Sequence, residues 1–340
     1  MKNIILNLNL STRLASIKTK KFFLIINFSI VFLLFSCSGN ESNNKKIKIG
    51  VLDYVNSLYT EEAERGILDG LKENSLTADC FIDIKNAQGD MSVLNSAADL
   101  FAQSDYDLIF AITPPSLQIA IKKIKNKPII FTNAGNPIEA GIGKSFEEHL
   151  PNVTGICTIT DFEAAIKIIK NFYPNVKKIG TLFTPSETDS TLYYKKFSEI
   201  LASHSIELIG VPINSPSDIP EAASALCEKD IDVLCQIIDN LTGSAFVSIS
   251  HASQKTKIPL FCFGSQNVKK GFAVAAASRD YYDCAKEAVN KAVRILAGEK
   301  PEKIPVTKAQ KTKMVLNKIL ADYYNIKLSP ENTKIFTEFY

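Results

Sequence analysis

The strongest constraint on the fold is an alternation of short apolar runs with amphipathic segments, which continues from Lys46 almost to the end of the chain. Runs such as Leu108 to Ile112 and Val153 to Cys157 have the length of strands and are rich in β-branched or large apolar residues. The segments between such runs repeat apolar residues three and four positions apart, as amphipathic helices do. This alternation predicts an α/β protein with parallel sheets and crossover helices.

The alternation occurs in two similar rounds, and each round predicts a sheet of its own. The predicted strands of the first round are Ile47 to Leu52, Cys80 to Ile84, Leu108 to Ile112, Pro128 to Thr132 and Val153 to Cys157. Those of the second are Lys178 to Phe183, Ile206 to Val211, Ile231 to Ile237, Ile258 to Phe263 and Phe272 to Ala277. The two rounds together contain more residues than a single hydrophobic core usually supports, so we expect two lobes. Ligands of open α/β sheets bind beyond the carboxyl ends of the strands, which predicts a binding cleft between the lobes.

The N-terminal segment predicts export and a lipid anchor. Three lysines, Lys18, Lys20 and Lys21, precede an apolar run from Phe22 to Phe35, which is shorter than the roughly 20 residues of a membrane span. The run ends in Leu-Phe-Ser before Cys37, an arrangement that resembles a bacterial lipobox with residues 1–36 as the signal peptide. Residues 37–45 then form the lipidated cysteine and a flexible polar tether. An uncleaved signal anchor is the alternative.

Charge and cysteine usage exclude two function classes. Five cationic residues and no acidic residue precede Cys37, so the formal net charge of +3 becomes −2 for the exported part. A nucleic-acid binder is expected to carry a basic field, and this part lacks one. The seven cysteines form no C-x-x-C pair and no His cluster with metal-ligand spacing, so we expect no metal or other cofactor.

An ordered set of short motifs along the exported part resembles one family. The set is Ile49-Gly50-Val51-Leu52, Asn86-Ala87-Gln88-Gly89-Asp90, Phe131-Thr132-Asn133, Asn136-Pro137, Asn152-Val153-Thr154-Gly155, Thr184-Pro185-Ser186-Glu187, Asp239-Asn240, Gly271, Asp280-Tyr281-Tyr282 and Leu296-Ala297-Gly298-Glu299-Lys300-Pro301. Together these motifs are similar to the substrate-binding proteins of ABC transporters related to the tryptophan- and tyrosine-binding lipoproteins. The resemblance extends from Lys46 to about Asn325.

The resemblance implies a type I periplasmic-binding fold, with two Rossmann-like lobes, parallel central sheets and a hinge of three chain segments. Mapped onto this sequence, lobe 1 comprises residues 46–156 and 271–306, and lobe 2 comprises residues 157–270 and 307–340. It also implies a monomeric extracytoplasmic lipoprotein that binds a small ligand, first of all an amino acid and among these an aromatic one. Its partners are then an ABC permease with its cytoplasmic ATPase and the membrane that holds the anchor.

Candidate ligand contacts of lobe 1 follow from the strand ends. An amino acid needs donors for its carboxylate, an acceptor for its ammonium group and an apolar wall for its side chain. Thr113, Pro114 and Ser116 connect a strand to a helix, where hydroxyl and N–H groups meet a carboxylate; an ordinary helix cap is the alternative. Asn133 and Asn136 flank the next turn, where plain turn chemistry is the alternative.

The equivalent turns of lobe 2 carry acidic and hydroxyl groups. Ser186, Glu187 and Ser190 stand at a predicted helix start, where capping is again the alternative. Asp239 and Asn240 end an apolar strand, where a carboxylate accepts from an ammonium group or caps the following helix. These positions complete the predicted ammonium site.

Four further positions complete the candidate set. Tyr54 follows the first strand and offers a stacking surface. Gly264 and Ser265 stand where many relatives carry an acidic residue, so one ammonium contact is expected to be absent. Arg279 replaces an apolar residue of the relatives and either binds a carboxylate or pairs with a neighbouring acid.

Enzymatic and regulatory functions are disfavoured by the sequence. The three histidines, His149, His204 and His251, belong to no nucleophile elbow and no H-E-x-x-H pattern, and neither G-x-G-x-x-G nor a P-loop occurs. We therefore expect no catalytic residues. A sugar-responsive repressor shares the two-lobed core, but a signal segment stands where its DNA-binding headpiece would be. A sensory binding protein that presents its ligand to a membrane receptor remains the alternative to transport.

Overall fold

The computed structural model describes residues 46–76 and 80–340. The predicted signal peptide, the lipidated Cys37 and the tether lie outside these residues. Within them the chain forms two β-sheets flanked by helices, which is the predicted two-lobed α/β architecture. None of the described helices is both long and apolar enough to cross a bilayer.

Lobe 1 is built on a six-stranded parallel sheet. Its strands are β1 (Ile47–Asp53), β2 (Cys80–Asn86), β3 (Leu108–Ile112), β4 (Ile129–Ala134), β5 (Val153–Cys157) and, from late in the chain, β11 (Thr307–Lys308). Their order is β11-β5-β4-β3-β1-β2. Its helices are α1 (Leu58–Glu73), α2 (Met91–Gln103), α3 (Pro114–Lys123) and α10 (Tyr281–Leu296). Strands β3, β4 and β5 are buried along their whole length, because helices cover both faces of a parallel sheet.

Lobe 2 is built on a seven-stranded mixed sheet. Its strands are β6 (Lys178–Phe183), β7 (Glu207–Pro212), β8 (Val233–Gln236), β9 (Leu260–Cys262), β10 (Ala275–Arg279), β12 (Thr312–Leu316) and β13 (Glu338–Phe339). Their order is β13-β12-β10-β9-β8-β6-β7, with only the β10–β12 pair antiparallel. Its helices are α4 (Phe162–Phe172), α5 (Thr188–Ser203), α6 (Ile219–Cys227), α7 (Asn240–Ser244), α8 (Phe246–Thr256), α9 (Ser265–Lys269), α11 (Lys318–Tyr323) and α12 (Pro330–Thr333). Two short 3₁₀ turns, Pro216–Asp218 and Pro301–Lys303, complete the secondary structure of the described chain.

The chain passes between the lobes three times, but two of the predicted boundaries are wrong. Strand β10 belongs to the sheet of lobe 2, because Ala275 and Ala276 pair with Phe261 and Cys262 of β9, so residues 271–279 do not belong to lobe 1. Strand β11 pairs with β5 in the sheet of lobe 1, so residues 307 and 308 do not belong to lobe 2. Apolar periodicity identifies a strand but carries no information about which sheet accepts it.

Arg279 joins the three crossing segments at the hinge. Its Nε donates to the carbonyl of Ile159 at 2.7 Å, and its Nη1 donates to Oγ1 of Thr312 at 2.8 Å. The Thr312 hydroxyl in turn donates to Oδ2 of Asp161 at 2.9 Å. One guanidinium therefore holds together the chain before α4, the end of β10 and the start of β12.

The hinge network predicts a stability effect at Arg279. Hydrogen bonds from a charged group contribute about 1.5 to 3 kcal/mol, so Arg279→Ala is expected to lower the free energy of unfolding by about 2 kcal/mol in urea titrations. Arg294→Ala is the matched control, because Arg294 makes an exposed ion pair with Glu299 and its removal is expected to have little effect. Equal stability of the two variants would show that the hydrogen bonds of Arg279 at the hinge do not stabilise the fold.

Candidate functional site

A cavity lies between the lobes, where the carboxyl ends of the strands of both sheets face each other. The space within it is about 30 Å³, room for roughly one or two water molecules, so the walls from the two lobes lie close together. Lobe 1 lines it with Ser57, Tyr59, Thr60, Thr113, Pro114, Asn133 and Tyr281. Lobe 2 and the first crossing line it with Thr158, Glu187, Asp189, Tyr193, Ile238, Asp239 and Asn240. The predicted cleft is therefore present.

The lobe 1 face offers hydroxyl donors at the start of α3. Thr113 is the residue before this helix, and within the described part of the chain neither its Oγ1 nor the Oγ of Ser116 has a hydrogen-bond partner, although both atoms are buried. The first two residues of the helix are prolines, which have no backbone N–H to donate. Side-chain hydroxyl groups are therefore important hydrogen-bond donors at this helix start. An unpartnered buried polar atom costs free energy, which a ligand oxygen would recover.

Two residues of the same face adopt strained backbone conformations. Thr113 has φ +78° and Asn133 has φ +56°, both in the left-handed region that side chains other than glycine rarely occupy. For a β-branched residue such as Thr113 this is a true outlier. Strain of this kind persists where the surroundings impose it and is concentrated at ligand sites.

The lobe 2 face is organised around the buried carboxylate of Asp239. Its Oδ1 accepts from the amide and the hydroxyl of Thr242, at 2.7 and 2.5 Å. Its Oδ2 accepts from the hydroxyl of Ser190 at 2.7 Å and from the amide of Thr184 at 3.1 Å. A carboxylate has about four acceptor positions, so those of Asp239 are filled by the protein itself. Its charge still attracts a cation in the cavity.

Glu187 is one of two acidic groups lining the cavity that retain an acceptor position; the other is Asp189, whose oxygens accept one amide each. Its Oε2 accepts from the amide and side-chain nitrogens of Asn240 at 2.8 and 2.6 Å, and its Oε1 accepts only from the amide of Leu241, at 3.0 Å. Burial, together with the negative charge of Asp239, raises the pKa of Glu187 to about 8. A cation beside Glu187 would stabilise the ionised form and lower this pKa.

Tyrosine rings form the walls of the cavity. Tyr59, Tyr193 and Tyr281 are each at most 5% exposed, and the rings of Tyr59 and Tyr281 lie 5.8 Å apart. Burial raises the pKa of each of the three phenols, so all three stay neutral at physiological pH. The walls therefore combine aromatic surface with uncharged hydroxyl groups.

Asp189 connects the two lobes. Its carboxylate belongs to α5 of lobe 2, but its Oδ2 accepts from the amide of Gly135 at 2.7 Å and its Oδ1 from the amide of Asn136 at 2.9 Å, both in lobe 1. Burial raises its pKa to about 6, although the two amide donors lower it. The lobes therefore meet through direct protein contacts beside the cavity.

Six of the fourteen predicted ligand contacts line the cavity: Thr113, Pro114, Asn133, Glu187, Asp239 and Asn240. Two others lie behind it, since Ser190 supports Asp239 and Ser116 is fully buried. Tyr54 lies at the outer mouth of the cleft, where its hydroxyl donates to the carbonyl of Gly89 at 2.8 Å. Sequence reasoning from strand ends therefore predicted most of the acidic and amide side chains that line the cavity, and their role as ligand contacts stays a prediction.

The remaining five predicted contacts are placed differently. Ser186 is exposed, and Asn136 contributes its amide to Asp189. Gly264 and Ser265 lie at the start of α9, with the ring of Tyr59 over Gly264. Arg279 is at the hinge rather than in the cavity, so its assignment to the ligand site is corrected: the end of β10 leads into the crossing segments.

The residues that the sequence did not assign to the site come mostly from helix starts. They are Ser57, Tyr59, Thr60, Thr158, Asp189, Tyr193, Ile238 and Tyr281. A large aromatic residue near a helix start is indistinguishable in sequence from a core residue. The Asp-Tyr-Tyr motif that contains Tyr281 was the one available indication. Among residues 46–76 and 80–340, no three His, Cys, Asp or Glu side chains are arranged to hold a metal ion.

Comparison with known proteins gives a consistent result. Residues 48–336 match the family model described as ABC transporter substrate binding protein. A tyrosine-binding protein from Clostridioides difficile (strain R20291) is 30% identical over 334 residues, which cover 94% of this chain and 96% of that protein. The family model and this relative agree on the same class of protein.

Solved structures support the same relationship. An ABC domain in complex with L-Trp from Streptococcus pneumonia has a TM-score of 0.83 and 26% identity, covering 87% of this chain and all of that one. A ligand-free, open substrate-binding protein from Clostridium difficile has a TM-score of 0.65 and 29% identity, covering 86% of this chain and 98% of that one. By overall superposition this chain is therefore more similar to the L-Trp complex than to the ligand-free, open protein. These similarities confirm the predicted type I periplasmic-binding fold.

Proposed function

The chain belongs to the ABC transporter substrate-binding protein family, and on this premise we propose that it captures an amino acid between its lobes and delivers it to an ABC permease. The protein is held outside the cytoplasm by a lipid on Cys37 and acts as a monomer, with the permease and its ATPase as partners. The ligand is bound and released without chemical change.

The observation that carries the amino-acid assignment is the opposite character of the two cavity faces. Lobe 1 presents the unpartnered hydroxyl of Thr113 at a helix start, with that of Ser116 buried behind it, which suits a carboxylate. Lobe 2 presents the open acceptor position of Glu187 with the charge of Asp239 close by, which suits an ammonium group. A zwitterion that spans the two faces binds the closed arrangement better than the open one, so it favours closure.

Aromatic rings form much of the rest of the cavity wall. The three tyrosine rings offer stacking and edge contacts to an aromatic side chain once the lobes separate enough to admit it. The related proteins described above with tyrosine and L-Trp support the same ligand class. We therefore expect L-tryptophan, L-tyrosine or L-phenylalanine as the ligand.

The ligand class is tested by thermal unfolding and calorimetry of the purified protein. At an excess of about a hundred times Kd, the correct amino acid is expected to add roughly 2.7 kcal/mol of stability. Tryptamine and indole-3-propionate are the matched controls, because each lacks one of the two charges of tryptophan and should stabilise far less. If no aromatic amino acid raises the melting temperature, the proposed ligand class is wrong.

Glu187 predicts a proton-linked binding reaction. Burial and the charge of Asp239 raise its pKa to about 8 and an ammonium group beside it lowers this pKa, so binding should release protons at neutral pH and strengthen as the pH rises toward 8. Glu187→Gln is expected to abolish the release and to weaken binding about tenfold, or about 1.4 kcal/mol.

The release is measured as the dependence of the calorimetric enthalpy on the ionisation enthalpy of the buffer. Glu221→Gln is the control, since this glutamate of lobe 2 is exposed and away from the cavity. Asp189, with a pKa of about 6, is mostly ionised under these conditions and contributes little. An unchanged affinity and proton release in Glu187→Gln would remove this residue from the ammonium site.

Lipidation predicts that Cys37→Ala abolishes both fatty-acid labelling and retention in the membrane fraction. The thioether that carries the lipid needs the cysteine sulfur, and the run before it is short for a membrane span. Cys80→Ala serves as the control and should leave both properties intact. If Cys37→Ala retains label and membrane association, the anchor is elsewhere.

A further inference from the structure

Tyr59 is a lobe 1 residue whose ring is docked in lobe 2. It stands in the first turn of α1 and is only 5% exposed. A Cβ added at Gly264 would lie 2.2 Å from its Cε1, and one added at Gly243 would lie 3.1 Å from its Cε2. Both glycines belong to lobe 2, so the ring occupies space that side chains at these two positions would take.

The phenol group is also held by lobe 2. The side-chain nitrogen of Asn267 donates to Oη of Tyr59 at 2.7 Å, and Asn267 is 1% exposed. We call the pocket formed by Gly243, Gly264 and Asn267 the tyrosine socket. Ring packing and a hydrogen bond are thus both made directly between protein groups of the two lobes.

The backbone does not explain the glycine at position 264. Gly264 has φ −126° and ψ 117°, an extended conformation that any residue adopts. The close approach of Tyr59 is therefore what limits this position to glycine. The space that a side chain at position 264 would occupy is filled by the ring of Tyr59 from the opposite lobe.

A second contact of the same kind runs in the opposite direction. Tyr193 of lobe 2 approaches Gly135 of lobe 1 so closely that an added Cβ would lie 1.7 Å from its Oη. The amides of Gly135 and Asn136 donate to Asp189, and Gln266 of lobe 2 donates to Glu62 of lobe 1 at 2.8 Å. Closure therefore has protein contacts on both sides of the cavity.

We propose that Tyr59 and its socket form a latch that stabilises the closed arrangement, and that the socket residues, which do not line the cavity, thereby influence ligand affinity. The latch makes Gly243 and Gly264 affinity-determining residues through the closing equilibrium. This inference rests on the proposed function only in its ligand-binding part, since the latch itself needs no ligand.

The test uses Gly264→Ala, Tyr59→Ala and the double variant. Hydrogen exchange of the Gly135 and Asn136 amides reports closure without ligand, because these amides are bonded across the cleft. Gly264→Ala is expected to speed this exchange at least tenfold and to weaken binding of L-tryptophan and L-tyrosine by a similar factor. The double variant is expected to behave like Tyr59→Ala alone, since the added methyl group then has no ring to meet.

Gly210→Ala is the matched control, because its added Cβ would meet Tyr194 within the same lobe. It should reduce stability without a selective increase in exchange at Gly135 and Asn136. The latch is overturned if ligand-free wild type shows no protection of these amides, if Gly264→Ala leaves it unchanged, or if the two substitutions act additively. If the wild type binds no amino acid but Gly264→Ala still speeds exchange of the Gly135 and Asn136 amides, the proposed ligand is wrong and the latch is supported.

Discussion

Three carboxyl groups buried at the interlobe cleft, those of Glu187, Asp189 and Asp239, are the constraint around which the site is built. A buried charge is tolerated only where donors surround it, and each of these groups recruits a different set. Asp239 takes four donors from its own lobe and so fixes the ends of β6 and the starts of α5 and α7. Asp189 takes two amides from the other lobe, and Glu187 holds the start of α7. The polar geometry of the cavity follows from satisfying these charges.

The architecture was largely predictable because local periodicity determines it. Strands β3, β5 and β6 have the predicted bounds. Sheet membership was not predictable in the same way. Strand β10 is a run of small apolar residues that either sheet would bury, and β11 has only two residues, so pairing partners decide their place.

The site was predictable only in its polar part. Turns after strands in a doubly wound fold must face the ligand cleft, which is why Thr113, Glu187 and Asp239 were identified from the sequence. Tyr59, Tyr193 and Tyr281 were not, since their positions depend on how the lobes meet. The bare backbone at Gly264 illustrates the difference: the sequence suggested a lost ligand contact, whereas the structure places Tyr59 in that space.

A latch made only of favourable contacts would be harmful to a binding protein, because a closed empty cleft excludes its ligand. The buried acids provide the opposing free energy. The raised pKa values of Glu187 and Asp189 mean that the ionised groups lose solvation which their partners in the empty cavity do not fully replace. An ammonium group beside Glu187 replaces the solvation that its ionised carboxylate has lost. The contacts of Tyr59 with its socket contribute the same free energy to closure whether or not a ligand is bound. We therefore expect the electrostatic cost to limit the closed fraction of the ligand-free protein and the ligand to remove that cost, so that the acids determine selectivity and Tyr59 determines how stable the closed arrangement is.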